Sequence, residues 1–528
     1  MSINVIDGSK REGAIGGALY LTVSALVVKI LGMIYKIPLA QILGEEGMGY
    51  FNSAYTIYGL IYLVCTAGVP KALTVIILEK RNIKKDICDK NIVKTISSIF
   101  LLIGISFSVF LVIFSNPLAE LIGNNKASYT LIAIAPSIVF SSVIGVLRGY
   151  LNAKMSLFPI AVSQIVEAVG RLVVGLLFAR FSYLKGFGPE LVSAYTVFGV
   201  SIGSFLGFLC LYFNAKNLLS ADNKRQKLKI SDKNLIAKSV FSISVPITVS
   251  ATVLSLSNIL DLSLIIRGLG RIGYSQSQAT SLYGNYTTLS VPMFNLVMAL
   301  ITPISVSYLP VMLKAKNNGK SAFNGVIKSS LDITAIMSAP IILGTIFYSK
   351  EILSLLFGVE LSSSGDGLLC ILMPGAFFMS ILLIVNSSIE AMGSVKFPIV
   401  SLFLGSVLKF FVFNILLFKF DYGISAAPIS TVISYATALM ISLIYAQTKH
   451  KLFYPIFLTH IIPYTVGALS IFVSKIFYYK AIASLNSNVT LILSIVLCGL
   501  VYLILGLFTG IISKKKLNLM ANYTKLKE

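Results

Sequence analysis

Fourteen apolar runs, each about as long as a bilayer is thick, leave this chain few folds to choose from. They lie at 14–37, 50–78, 92–115, 128–149, 158–181, 191–215, 236–266, 284–313, 325–349, 366–391, 398–418, 424–446, 457–478 and 489–512. A helix needs about 20 such residues to cross the hydrocarbon while satisfying every backbone N–H and C=O within its own segment. The expectation is an all-α, polytopic membrane protein. Only 12% of the residues are charged, against about 25% in ordinary globular chains. That composition excludes intrinsic disorder and a nucleic-acid binder built on a soluble basic domain.

The net charge of +23, from 43 Lys and Arg against 20 Asp and Glu, then needs a membrane explanation. With the N-terminus placed inside, 25 of the basic residues fall in cytoplasmic segments and 7 in outer loops, the asymmetry that orients bacterial membrane proteins. An even number of crossings also returns the C-terminus, with Lys514, Lys515 and Lys516, to the cytoplasm. The polar start up to Gly13 is followed by a full-length apolar run without a small-x-small cleavage site, so the first span is expected to stay. Five scattered cysteines and two histidines, His450 and His460, lack metal-ligand spacing, and no disulfide framework or metal site is expected.

Two echoes suggest an internal repeat. Thr22-Val23-Ser24-Ala25 recurs as Thr248-Val249-Ser250-Ala251, and at the same offset Leu43-Gly44 meets Leu269-Gly270 and Gly47 meets Gly273. Lys154 before Phe158-Pro159 parallels Lys396 before Phe397-Pro398. Corresponding spans are six apart in both cases. The expected organisation is a six-helix half at 1–215, a basic linker at 216–235, a second half at 236–446, and two extra spans with a basic tail at 447–528. A cavity between pseudo-symmetric halves is a common transporter plan.

Ionisable residues inside spans cost about 2.5 to 3.5 kcal/mol each on insertion scales, so they mark cavities or partners. Lys94, Lys238, Lys328 and Lys475 sit near span ends and are expected to snorkel. Lys29 and Lys36 project from one face of the first span, two turns apart. Lys71 follows the Gly68-Val69-Pro70 break, Arg148 ends the fourth span, and Lys409 lies mid-span in the eleventh. Glu167 and Arg171, at i and i+4 with Gln164 a turn earlier, are placed to pair. Acids are fewer. Asp261, with Asn258 a turn before it, and Glu390 are candidates for balancing a cation or binding a coupling Na⁺ or H⁺. Such an excess of cations between low-dielectric walls favours an anion, and phosphate or diphosphate suits Lys and Arg.

Other patterns are discounted. Gly268-x-Gly270-x-x-Gly273 matches a dinucleotide fingerprint but follows a span, with no strand around it, and no Gly-Lys-Ser/Thr phosphate loop occurs. Gly199, Gly203 and Gly207 repeat every four residues and are expected to permit close helix packing.

The stretches Tyr35-Lys36-Ile37-Pro38-Leu39-Ala40-Gln41-Ile42-Leu43-Gly44-Glu45-Glu46-Gly47 and Ala67-Gly68-Val69-Pro70-Lys71-Ala72 carry a resemblance. Arg148-Gly149-Tyr150-Leu151, Gln164-x-x-Glu167-x-x-x-Arg171, and Asp261 with Arg267 extend it. The chain resembles the polysaccharide-biosynthesis and stage V sporulation protein B branch of the multidrug/oligosaccharidyl-lipid/polysaccharide exporters, which includes the MurJ-type lipid II flippases. The resemblance implies a bacterial plasma-membrane transporter, not an enzyme, working by alternating access on a polyprenyl-diphosphate-linked glycan. It implies contact between the diphosphate and Lys29, Lys36 and Lys71, where MurJ-type proteins generally carry Arg, and a lipid-tail groove on the last two spans. Arg148, Arg171, Arg267 and Lys409 complete the expected substrate-binding set. A monomer among membrane lipids is expected, with no cofactor beyond a coupling ion. The competing expectations are a cation-coupled multidrug exporter and an exporter of another lipid-linked polysaccharide unit.

Overall fold

The computed structural model describes residues 8–79, 88–220, 230–482 and 486–511. The tail lysines 514–516 and most of the basic cluster at 224–233 lie outside them. The regular elements of the described residues are all helices, with no strand among them. Contacts divide the chain into two compact units, Met1–Gly284 and Asn285–Glu528.

The first unit contains α1 (Gly8–Thr66), α2 (Val69–Glu79), α3 (Asp89–Ile113), α4 (Ser115–Leu121), α5 (Ala127–Ala153), α6 (Phe158–Leu184), α7 (Pro189–Ser220), α8 (Ile230–Arg271) and α9 (Gln276–Asn285). The second holds α10 (Val291–Asn317), α11 (Lys320–Phe347), α12 (Ser349–Phe357), α13 (Val359–Ser362), α14 (Asp366–Ala391), α15 (Phe397–Phe418), α16 (Ala426–His450), α17 (Ile456–Ala481) and α18 (Ser487–Phe508). Twelve helical stretches among the described residues are long and apolar enough to cross a membrane. The first, Val23–Leu78, takes in two of the fourteen apolar runs, and α8 carries the seventh. The protein is thus an all-α, multi-pass membrane protein. The eighth run is irregular, as its prolines suggest: a π-helical turn, Tyr286–Ser290, precedes Val291-Pro292. Pro292 has no N–H to give to the preceding turn, which loosens the ladder there.

α1 is two helical arms joined by a reversal. Tyr35 and Phe51 are sixteen residues apart and would be about 24 Å apart along a straight helix, yet their ring centroids lie 6.2 Å from each other. The chain folds back at Gly44, whose φ of 65° and ψ of −174° are non-helical and fall in a region essentially reserved for glycine. Replacing Gly44 with Ala should therefore cost about 1–3 kcal/mol, read as a lowered thermal unfolding midpoint in detergent.

Each unit has its own core. In the first, Leu73 and Ile76 of α2 meet Ile92 and Ile96 of α3 and Tyr150 and Leu151 of α5. In the second, Leu331 of α11, Leu382 and Val385 of α14, and Ala438 of α16 are buried together. Lys475 differs from its expected snorkelling. Its Nζ lies 2.7 Å from Glu351 Oε1 and 4.4 Å from the Tyr348 ring centroid, while Tyr348 Oη and Ser474 Oγ are 2.8 Å apart. A carboxylate and an aromatic face together offer a partly buried ammonium more than distant head groups do, so α17 is tied to α12.

Candidate functional site

The fold-back at Gly44 is what assembles the site. It sets the Leu31–Lys36 segment of α1 against Phe51, Asn52 and Tyr55 on the returning arm. The middle of α6 closes the third side with Ala168 and Arg171, enclosing a cavity of about 210 Å³. Gly32 forms part of the wall, and a Cβ placed there would meet nothing within 4 Å.

Charge is concentrated beside this cavity. Arg171 Nη2 donates to Glu167 Oε1 at 3.3 Å, and Arg148 Nη2, from α5, donates to Glu167 Oε2 at 3.2 Å. One carboxylate thus serves two guanidiniums, using a different oxygen for each. Arg171 also lies over the Tyr55 ring, 5.9 Å from its centroid. Ser24 Oγ donates to Gln164 Oε1 at 3.0 Å, holding the first arm of α1 to the same stripe of α6. Lys36 lines the cavity and forms no ion pair among the described residues. The group of Arg148, Glu167, Arg171 and Lys36 therefore carries three positive charges and one negative charge.

Hydrogen bonding repeats that imbalance. Tyr35 Oη, Arg148 Nε and Arg171 Nε are buried without a hydrogen-bond partner among the described residues, and each has a hydrogen to donate. Buried polar groups are ordinarily paired, and an exception calls for an explanation. Surplus positive charge with surplus donors fits an anion rich in acceptor oxygens. The cavity is smaller than the 300–1,000 Å³ typical of whole-ligand pockets, and so suits a charged head group rather than a large glycan.

Packing fixes the α6 backbone that carries these side chains. A Cβ on Gly199 would lie 2.5 Å from Gly175 N, one on Gly203 2.7 Å from Glu167 O, and one on Gly207 3.1 Å from Glu167 Cβ. The glycine series of α7 thus lies directly against the charged stripe, in the role its four-residue spacing suggests.

The remaining expected site residues are spread more widely. Lys29 is exposed on α1, and Lys71 is exposed on α2 just after the Gly68 break. Arg267 lies in a separate cavity at the end of α8. Asp261 is partly buried on α8 and Asn258 is exposed. Glu390 on α14 and Lys409 on α15 are partly buried in the second unit. Tyr35, Asn52 and Tyr55 were not singled out by sequence reasoning. Tyr35 adjoins Lys36, but no spacing within the sequence points across the Gly44 bend to Asn52 or Tyr55.

Fold and site together define a polytopic helical membrane protein with an electropositive inner pocket. The model of the family described as polysaccharide biosynthesis protein matches residues 15–316, more than half of the chain, and the chain belongs to that family. The lipid II flippase MurJ of Bacillus subtilis (strain 168) is 23% identical over 445 residues, 80% of each chain. Stage V sporulation protein B of the same organism is 21% identical over 312 residues, covering 59% of this chain and 60% of the relative. Among solved structures, a lipid II flippase MurJ in an inward closed conformation aligns with a TM-score of 0.69 at 18% identity, over 93% of this chain and 98% of that one. An inward-facing multidrug resistance MATE family transporter of the MOP superfamily aligns at 0.64 and 12% identity, over 82% and 98%. Both share the fold.

Proposed function

We propose that this protein is a flippase that carries a polyprenyl-diphosphate-linked glycan, foremost the lipid II precursor of peptidoglycan, from the inner to the outer leaflet by alternating access. The observation that carries this reading is the cavity of Lys36 and Arg171, whose neighbouring cations outnumber its one acid. A lipid-linked precursor has a diphosphate that cannot enter hydrocarbon alone, a tail that can stay in it, and a glycan that must move through water. The kinship with a lipid II flippase supports the same cargo class. No bond is made or broken, so the protein is a carrier and not an enzyme.

The diphosphate is read as binding Lys36 and Arg171, with Lys29 and Lys71 drawing it in and Arg148 contributing through the shared Glu167. Arg267 and Lys409 are placed on the cargo's later path, and Glu390 as a balancing charge. Bound cargo offsets the surplus charge and favours closure, and a membrane potential, worth about 2.3 kcal/mol per charge per 100 mV, resets the carrier. Asp261 with Asn258 is the proposed seat of a coupling Na⁺ or H⁺. The protein acts as a monomer in the bacterial plasma membrane, with both termini cytoplasmic.

Export of another lipid-linked polysaccharide unit is the second reading, supported by the family's description. A cation-coupled multidrug exporter would share the fold, but a cationic drug would meet a cavity lined by Lys36 and Arg171 and by no carboxylate. The test is transbilayer movement in proteoliposomes, comparing labelled lipid II with a polyprenyl-diphosphate carrying an unrelated glycan and with a lipophilic cation. Movement of lipid II alone is expected. Movement of the cation alone would overturn the proposal.

A further inference from the structure

A second cavity of the first unit, about 410 Å³, shares no lining residue with the first. It forms where α8 ends and α9 begins, against the turn joining α4 to α5. Arg267, Arg271, Gln276 and Asn125 supply its polar walls.

The two arginines are held differently. Arg267 Nη2 donates to Glu120 O at 2.6 Å, near the end of α4, where helix carbonyls lack partners within their own helix. Its stem crosses Gly123, where a Cβ would lie 2.8 Å from Arg267 Cγ and where φ is +75°. Only glycine readily meets both conditions. Ser263 Oγ donates to Leu121 O at 3.0 Å, and Gln276 Nε2 donates to Gly123 O at 3.3 Å, so the α4–α5 turn is fastened from two sides. Arg271 stands one helical turn beyond Arg267 on the same face of α8. It is exposed and has neither an ion pair nor a hydrogen-bonding side-chain partner among the described residues. The lining contains no carboxylate. Lys126, next to Asn125 in the chain, pairs with Glu190 at 3.5 Å.

We propose that this cavity is a second phosphate-binding site, separate from the Lys36–Arg171 cavity. One guanidinium is pre-positioned and the other is free, four residues apart, and planar forks of N–H donors match phosphate oxygens two at a time. The last turn of α8, the first turn of α9 and the turn joining α4 to α5 border the cavity, at the ends of apolar segments, which is head-group depth. A membrane-lipid phosphodiester and a water-borne phosphate present the same oxygens there.

The full chain in maltoside detergent separates these sources. Phosphatidylglycerol adducts are counted by native mass spectrometry, and inorganic phosphate is titrated by calorimetry. Wild type is compared with Arg271→Gln, with Arg267→Lys, which keeps the charge but loses the fork, and with Lys185→Gln, a basic loop residue outside the cavity. The expected result is at least tenfold weaker binding of one phosphatidylglycerol in Arg271→Gln, a smaller loss in Arg267→Lys and none in Lys185→Gln. Loss confined to inorganic phosphate would keep the site and assign it a water-borne ligand. Equal binding of both probes by wild type and Arg271→Gln, or an equal loss in Lys185→Gln, would overturn it. Arg271 is exposed and its side chain makes no hydrogen bond or ion pair among the described residues, so its replacement leaves the fold intact.

Discussion

Arg171→Gln is expected to abolish transport while the protein still inserts and folds. Arg171 lines the cavity and is the better placed of its two guanidiniums to meet a ligand, since Arg148 lies outside the lining. Removing one member of a buried, hydrogen-bonded charge pair costs about 2–5 kcal/mol, so a loss of roughly thirtyfold or more in diphosphate affinity is expected, with transport falling in parallel. Lys36→Gln should act in the same direction, because Lys36 adds a positive charge that no acid among the described residues neutralises. Arg171→Lys should retain part of the activity, keeping the charge without the planar fork. Glu167→Gln separates charge from architecture. It removes the one negative charge of the cluster, so anion affinity should rise, while the amide leaves a single acceptor oxygen where Arg148 and Arg171 each had one, and thermal stability should fall. Vesicle transport, ligand titration and thermal unfolding measured side by side distinguish these outcomes.

Gly203→Leu is expected to prevent accumulation of folded protein. The first added atom would lie 2.7 Å from Glu167 O and 2.8 Å from Arg171 N. Both are backbone atoms inside a helix, with no rotamer by which to yield. Overpacking ordinarily costs about 1–3 kcal/mol, and a backbone collision between two helices belongs at or above the top of that range. Gly32→Leu is the instructive contrast. A Cβ at Gly32 meets nothing within 4 Å, so the variant should fold with a near wild-type unfolding midpoint, yet its side chain would occupy the cavity and block transport. Recovery of stable, active Gly203→Leu protein would mean that α6 and α7 are not packed through this glycine series.

Much of this was legible in the sequence because a bilayer imposes simple rules. Apolar length alone located the helices, and the i, i+4 spacing of Glu167 and Arg171 foretold their pairing. The four-residue glycine series foretold a close helix contact. What the sequence could not convey was partnership across distance. Arg148 shares Glu167 although nineteen residues separate them, and Lys475 finds Glu351 from 124 residues away. Periodicity along one helix says which face a side chain occupies, not which helix that face meets. The bend at Gly44 is the most consequential case. In the sequence Leu43-Gly44 stands as an echo of Leu269-Gly270 and as part of a family stretch, with no mark of a bend, yet its backbone geometry brings Phe51, Asn52 and Tyr55 to Lys36 and so creates the cavity. The echo itself is inexact in structure: α8 continues through Gly270, and the positive φ comes at Gly273.

The measurement that bears most directly on the electropositive cavity is equilibrium binding of farnesyl diphosphate to the purified full chain, set against farnesol, which has the same tail and no phosphate. Saturable binding of the diphosphate, no comparable binding of farnesol, and a loss of at least tenfold in Lys36→Gln and Arg171→Gln are predicted. Equal binding of the two ligands, or diphosphate binding unchanged in both variants, would contradict it.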